Sequence, residues 1–343
     1  MLLAAVLLRG LVPALAAAAG WHWTYDGPHG QERWAEGYPA CGGRAQSPID
    51  IETRRAQADP SLPPLLPQGS AAGAWGLAND GHTVVLALPP ALTLRGLPRA
   101  FAAVQLHFHW GHGSGGGGGS EHLVDGRRAA AEMHVVHYDA ERFADAGEAQ
   151  RHAGGLAVLA VLLEVGAEPN AAYDNILRHL GSVRYAGQKT SIPSFSVRDL
   201  LPERLDHYYR YNGSLTTPPC FQSVLWTVFR QRVRISGAQL EQLQGALYAT
   251  AAEQPSPELL VDNFRAPQSL NQRLVLSSVP GGSRGYTAGK VVAIAVGIVF
   301  GCLSLFLAIY LTAKRMRARR TQAQDAASKP SARRATPDDG RRL

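Results

Sequence analysis

The sequence predicts a sheet-dominated domain with few helices, followed by a single membrane-spanning helix. Two observations carry the first part. Turn-forming prolines recur at Pro28, Pro39, Pro48, Pro63-Pro64, Pro89-Pro90, Pro98, Pro193, Pro202 and Pro218-Pro219, and valine-rich or aromatic runs lie between them at 83–88, 101–110, 156–165 and 223–229. A third observation carries the rest: residues 291–311 form a run of 21 without a charge, enough to cross a hydrocarbon core of about 30 Å as a helix.

In chain order, residues 1–19 read as a secretory signal, an apolar Leu/Ala/Val run ending in Ala17-Ala18-Ala19 before Gly20. The 343 residues then leave room for one large domain, 20–280, able to bury a sizeable core. Helical patterning in it is confined to 170–180 and 237–249, where Leu240, Leu243 and Leu247 have helical spacing. Residues 113–120, Gly-Ser followed by five glycines and Ser, read as a flexible low-complexity loop. A short stalk, 281–290, leads to the span at 291–311 and a tail at 312–343.

Lys314, Arg315, Arg317, Arg319 and Arg320 follow the span directly, so the positive-inside rule puts the tail in the cytoplasm and the domain outside. The expectation is a type I single-pass protein of the plasma membrane. The tail from Lys314 holds 10 of the 34 Lys/Arg and 3 of the 27 Asp/Glu, which accounts for the whole net charge of +7. The remaining chain is neutral and makes no case for a nucleic-acid partner, while the tail suits contact with anionic lipid. Arg333-Arg334-Ala335-Thr336 matches what a basophilic kinase takes. Gly297 and Gly301 form Gly-x-x-x-Gly, a contact through which two spans pair as a homodimer, the alternative being a coincidence of small residues.

Of the three cysteines, Cys302 falls in the span. Cys41 and Cys220 are left in an oxidising compartment, where one disulfide closing a long loop is the simple expectation and two buried thiols the alternative. Such a bridge contributes about 3–5 kcal/mol in the chain-entropy model. Asn212-Gly213-Ser214 is an N-x-Ser sequon on the lumenal side, which makes Asn212 a glycosylation candidate.

The chemistry concentrates in Gln105-Leu106-His107-Phe108-His109-Trp110 and Glu132-Met133-His134-Val135-Val136-His137. In a strand, His107 and His109 point to one face about 7 Å apart, pincer spacing for one metal ion. A second strand beside the first brings His134 to the same point. Three neutral nitrogens with one open position form the ligand set of a catalytic zinc, whereas structural zinc sites close with four protein ligands. His-x-His also arises by chance among 12 histidines, but Gln105 and Glu132 each precede a metal histidine by two residues, where they can orient imidazole N–H groups.

Several stretches together resemble the alpha-class carbonic anhydrases: Gln46-Ser47-Pro48-Ile49-Asp50-Ile51, Asn79-Asp80-Gly81-His82, the two histidine strands, Ser120-Glu121-His122, Gly155-Leu156-Ala157-Val158-Leu159 and Gly213-Ser214-Leu215-Thr216-Thr217-Pro218-Pro219. With the leader, cysteine pair and span, the chain is most similar to the family's membrane-anchored isozymes. The resemblance implies a large twisted, mostly antiparallel sheet with short peripheral helices, and Zn2+ held by His107, His109 and His134 in a conical cleft. It also implies reversible hydration of CO2 to bicarbonate by hydroxide formed at the zinc near neutral pH.

Further roles come with the resemblance. Thr216 would donate its hydroxyl to Glu121 and orient the attacking oxygen, and Thr217 would line the substrate site. Val136, Val158, Leu215, Val224 and Trp226 would form the apolar CO2 pocket. His82, otherwise an ordinary turn residue after Asn-Asp-Gly, would shuttle protons near neutrality, with Tyr25 and Asn79 ordering water. The backbone oxygen of Asn263 would orient His109, leaving its side chain free to vary. Cys41 and Cys220 match the disulfide of extracellular members, bracing the Thr216 loop. Three positions depart from the family pattern: Val85 for a polar cleft residue, the Gly115–Gly119 run, and Phe264 for a frequent Trp. The competing readings are an inactive ectodomain of this fold acting in adhesion or partner binding, against which the full histidine set argues, and a zinc peptidase, whose His-Glu-x-x-His is absent.

Overall fold

The computed structural model describes residues 21–113, 118–279 and 288–327, with side chains in the last stretch over 296–320. The expected leader at 1–19, Ser114 with the first three glycines of the run, 114–117, and most of the stalk lie outside the described residues. The chain divides into two units, Met1–Gly281 and Gly282–Leu343.

Eight strands of the first unit carry the site: β1 (Ala74–Asn79), β2 (Val84–Ala87), β3 (Phe101–Trp110), β4 (Ala131–Tyr138), β5 (Leu156–Gly166), β6 (Lys189–Pro193), β7 (Tyr208–Gly213) and β8 (Val224–Phe229). They lie in the order β6-β1-β2-β3-β4-β5-β8-β7 within a sheet of 13 strands among the described residues. Neighbours on this path are antiparallel except β5 and β8. The sheet is therefore mixed, with the antiparallel majority that the resemblance implied. A smaller sheet joins Asp50–Ile51, Leu123–Val124 and Arg127–Arg128.

The central strands are apolar on both sides because both faces are covered. On β4, Met133 and Val135 enter one hydrophobic cluster with Leu159 and Val161 of β5, whereas Val136 joins Val158, Ala160 and Trp226 in another. Side-chain alternation thus splits the core into two layers and leaves His134 with the second. Pairing of β4 with β3 shifts register between Val136 and His137.

Both expected helices exist but end early. α1 (Ala171–Leu177) starts where the Asn170 side chain accepts from the Ala172 N–H. α2 (Gly237–Gly245) starts at a reciprocal capping box of Ser236 and Gln239. Leu247, counted with the helix from its spacing, lies beyond its end; the next residue, Tyr248, bridges Leu259 in extended form.

In the second unit, α3 (Ala288–Ala327) runs 40 residues, longer than the apolar stretch because the Lys/Arg-rich continuation also favours helix. Within Val296–Arg320 it contains an 18-residue window of mean hydropathy 2.3, long and apolar enough to cross a membrane. Ile298, Phe300 and Phe306 are each more than 60 % exposed, which suits lipid rather than water. Gly297 and Gly301 lie one turn apart on it.

Candidate metal centre

Adjacent strands set the histidines by register. His107 on β3 stands directly opposite His134 on β4, and His109 opposite Glu132. His134 Nδ1 lies 3.1 Å from His109 Nε2 and 3.3 Å from His107 Nε2. Two nitrogens on one tetrahedral zinc stand about 3.3 Å apart, so the spacing suits that ion. His109 and His134 are buried, and half-buried His107 marks the open side.

The opposite nitrogen of each ring is already spent. His107 Nδ1 donates to Gln105 Oε1 at 2.9 Å, His109 Nδ1 to the Asn263 carbonyl at 2.7 Å, and His134 Nε2 to Glu132 Oε1 at 2.6 Å. Each bond selects the tautomer that turns a bare lone pair toward the centre. Three acceptors then face one another, and Glu121 Oε2, buried without a hydrogen-bond partner, stands 3.4 Å from His109 Nε2. Such a cluster lacks positive charge, and its neutral nitrogens with one carboxylate nearby fit zinc. Burial and the neighbouring imidazoles hold His107 well below its ordinary range, and burial also lowers His109, which disfavours protonation of these two rings.

A buried chain of hydrogen bonds extends outward from His134. Glu132 accepts from His122 Nδ1 at 2.7 Å, the Tyr211 hydroxyl lies 2.7 Å from His122 Nε2, and Tyr211 reaches Ser47 Oγ at 2.9 Å. Ser47 Oγ in turn accepts from the Ser214 N–H at 3.0 Å, two residues before Thr216. Burial opposes the charge of Glu132, but His122 and His134 outweigh it and hold the carboxyl well below its usual range. Gly213 is required where this chain meets β7, because a Cβ there would collide with Ser47 and come within 2.9 Å of the Trp226 ring. His122, Tyr211, Ser47 and Ser214 were not singled out from sequence as members of the site, since they meet only through long-range pairing.

Glu121 differs from expectation. Its Oε1 accepts from the Arg265 N–H at 2.8 Å, and no hydrogen bond joins it to Thr216 among the described residues, because Oε2 faces the histidines instead. The Arg265 guanidinium is itself held by Gln46 and the carbonyls of Ser47 and Cys41, and burial lowers it to about 10. Val136, Val158, Leu215, Val224 and Trp226 fall in one cluster, with the Trp226 ring centroid 4.8 Å from that of His134. Thr216 is buried and Thr217 half-buried after them. Cys41 and Cys220 form a disulfide, and the Cys220 N–H donates to the Thr217 carbonyl at 2.9 Å, so the bridge anchors that loop.

His82 occupies the turn between β1 and β2 and stacks on Trp23, with centroids 3.8 Å apart and planes at 9°. Burial lowers its pKa, with Asp80 opposing and His22 assisting. Burial and the charges of Glu121 and Asp80 keep Tyr25 well above its ordinary range. Val85 stands opposite His107 on β2. Two expectations need correction. The Asn79 side chain is buried, donating to the Arg184 and Tyr248 carbonyls and accepting from the Gly81 N–H, so it shapes the turn rather than ordering water. The Asn263 side chain is not free to vary: it accepts from the Trp110 N–H and donates to the carbonyls of His82 and Phe108. The Asn212 side chain is exposed beside the buried Gly213 and Ser214.

Residues 29–279 match the family pattern of the eukaryotic-type carbonic anhydrases. Carbonic anhydrase 12 of Homo sapiens is 44 % identical over 314 residues, covering 89 % of this chain and 88 % of that protein. Carbonic anhydrase 6 of Homo sapiens is 38 % identical over 273 residues, 78 % of this chain and 86 % of that protein. Carbonic anhydrase 1 of Mus musculus is 38 % identical over 261 residues, 75 % of this chain and 98 % of that protein.

Proposed function

Because the chain belongs to the eukaryotic-type carbonic anhydrases, enzymes that interconvert CO2 and bicarbonate, we propose that it catalyses this reaction at the outer face of a membrane through zinc on His107, His109 and His134. The observation that carries the proposal is the convergence of three imidazole lone pairs whose opposite nitrogens are all engaged. Zinc held there would supply Lewis acidity, bringing the ionisation of water into the neutral range. Gln105, the Asn263 carbonyl and Glu132 keep the three rings aimed, each in the tautomer whose free lone pair faces the centre.

The residues around the centre divide the remaining work. CO2 has no charge or dipole, so the apolar wall of Val136, Val158, Leu215, Val224 and Trp226 can hold it beside His134 without strong ligation. Thr216 and Glu121 orient the attacking oxygen, and Thr217 lines the substrate site. Hydration releases a proton, which His82 carries outward; its lowered pKa favours giving that proton up to solvent.

The apolar stretch of α3 and the cations after it support a single-pass anchor with the first unit outside, at the plasma membrane. A glycan on Asn212 and pairing of spans at Gly297 and Gly301 belong to this reading. The test is stopped-flow CO2 hydration by the full chain in detergent, with zinc quantified before and after chelation. Fast hydration, about one zinc per chain and loss of both together are expected; a folded, zinc-loaded chain without hydration refutes the proposal.

A further inference from the structure

Arg128 touches two features that the functional reading leaves over, Phe264 and the end of the glycine run. It sits on the short strand Arg127–Arg128, with its guanidinium carbon 4.4 Å from the Phe264 ring centroid. One of its Nη groups donates to the Ser120 carbonyl. Gly118, at φ +67°, lies across its stem: a Cβ there would approach Arg128 Cγ to 3.0 Å and the Ala129 carbonyl to 2.5 Å. Backbone bonds from Gly119 and Ser120 to the Ala129 carbonyl, and from the Ala129 N–H to Ser120 Oγ, fasten the same hairpin.

Both contacts of the guanidinium lead to one carboxylate. Ser120 precedes Glu121 in the chain, and Phe264 precedes Arg265, whose N–H donates to Glu121 Oε1. The half-buried cation is also attracted to Glu121 and Glu132, against the burial that opposes its charge. A planar guanidinium can stack on a ring and donate in its own plane at once, which an ammonium cannot.

We propose that Arg128 is a positioning residue for Glu121: by stacking on Phe264 and binding the Ser120 carbonyl it ties together the two segments that place the carboxylate beside the histidines. The proposal rests on the reading of Glu121 as an orienting group in CO2 hydration. Errors of about 1 Å in such a group cost up to about a hundredfold in rate, so a clamp one residue away affects chemistry without touching substrate.

The test compares the full-length parent with R128M, R128K, E121Q and the R128M/E121Q double variant, each at measured zinc content. R128M is expected to lower kcat/KM roughly tenfold through kcat, with zinc retained and R128K recovering only part of the loss. In the E121Q background R128M should have no further effect, because Arg128 acts through Glu121. Full activity of R128M, or losses that multiply in the double variant, overturns the proposal. Crystal structures of the parent and R128K supply a readout independent of turnover and of whether R128M folds. A displaced Glu121 carboxylate supports the clamp even if the parent proves inactive, and an unmoved one refutes it even if the parent is active.

Discussion

At Asn263 the backbone carbonyl accepts from His109 while the side chain binds three other backbone groups, one of them the His82 carbonyl. One fully buried residue thus joins a candidate metal ligand, the β3 backbone and the turn that carries His82. Asn263→Ala strands a buried N–H and loosens two carbonyls, so urea unfolding should show a loss of roughly 2–4 kcal/mol, with weaker zinc retention during dialysis. His82→Ala predicts a different signature. Zinc should be unchanged, stability should fall by about 1 kcal/mol with the lost Trp23 stack, turnover should fall about tenfold in dilute buffer, and added imidazole should restore it; a loss that imidazole leaves untouched removes His82 from proton transfer.

Among the elements, β4 works on both faces. His134 and Val136 look toward the metal centre, and Val135 and His137 line a recess of about 430 Å³ behind it. His137 is buried among apolar neighbours, which lowers its pKa to about 4 from an ordinary 6.5. Its folded pKa is depressed, so between about pH 6.5 and 4 the unfolded chain binds the proton and the folded chain does not. Stability therefore falls as pH drops through that window, by about 2 kcal/mol at pH 5 from this residue. His137→Gln should lose that component: its urea midpoint should change less between pH 7 and pH 5 than the parent's, and identical slopes would show that other groups set the acid limit.

For the whole molecule, the division at Gly281 separates the candidate metal centre from the long apolar helix. All the site residues and the disulfide belong to the first unit, whose core lies on the two faces of one sheet. A secreted chain ending at residue 281 should fold, hold zinc and match the full chain in kcat within a factor of about two, while failing to sediment with membranes. Substantial loss of kcat on truncation would make the second unit part of the catalytic apparatus.

Much of this was legible in residue order because it depends on local period. Alternation along 101–110 put His107 and His109 on one face, two-residue offsets put Gln105 and Glu132 behind His107 and His134, and an uncharged run marked α3. Elements whose partners lie far along the chain were not legible. The roles of His122 and Arg265, the full engagement of Asn263 and the anchoring of Asn79 on the Arg184 and Tyr248 carbonyls depend on contacts across 89 to 219 residues. Nothing in the spacing of Arg128 and Phe264 suggested a stacked pair. The sequence by itself determined which donors exist and which face each strand offers. Only the tertiary structure decided which buried acceptor each donor met, because an unpaired polar group in the core is costly and its partner is chosen by the packing of the whole sheet.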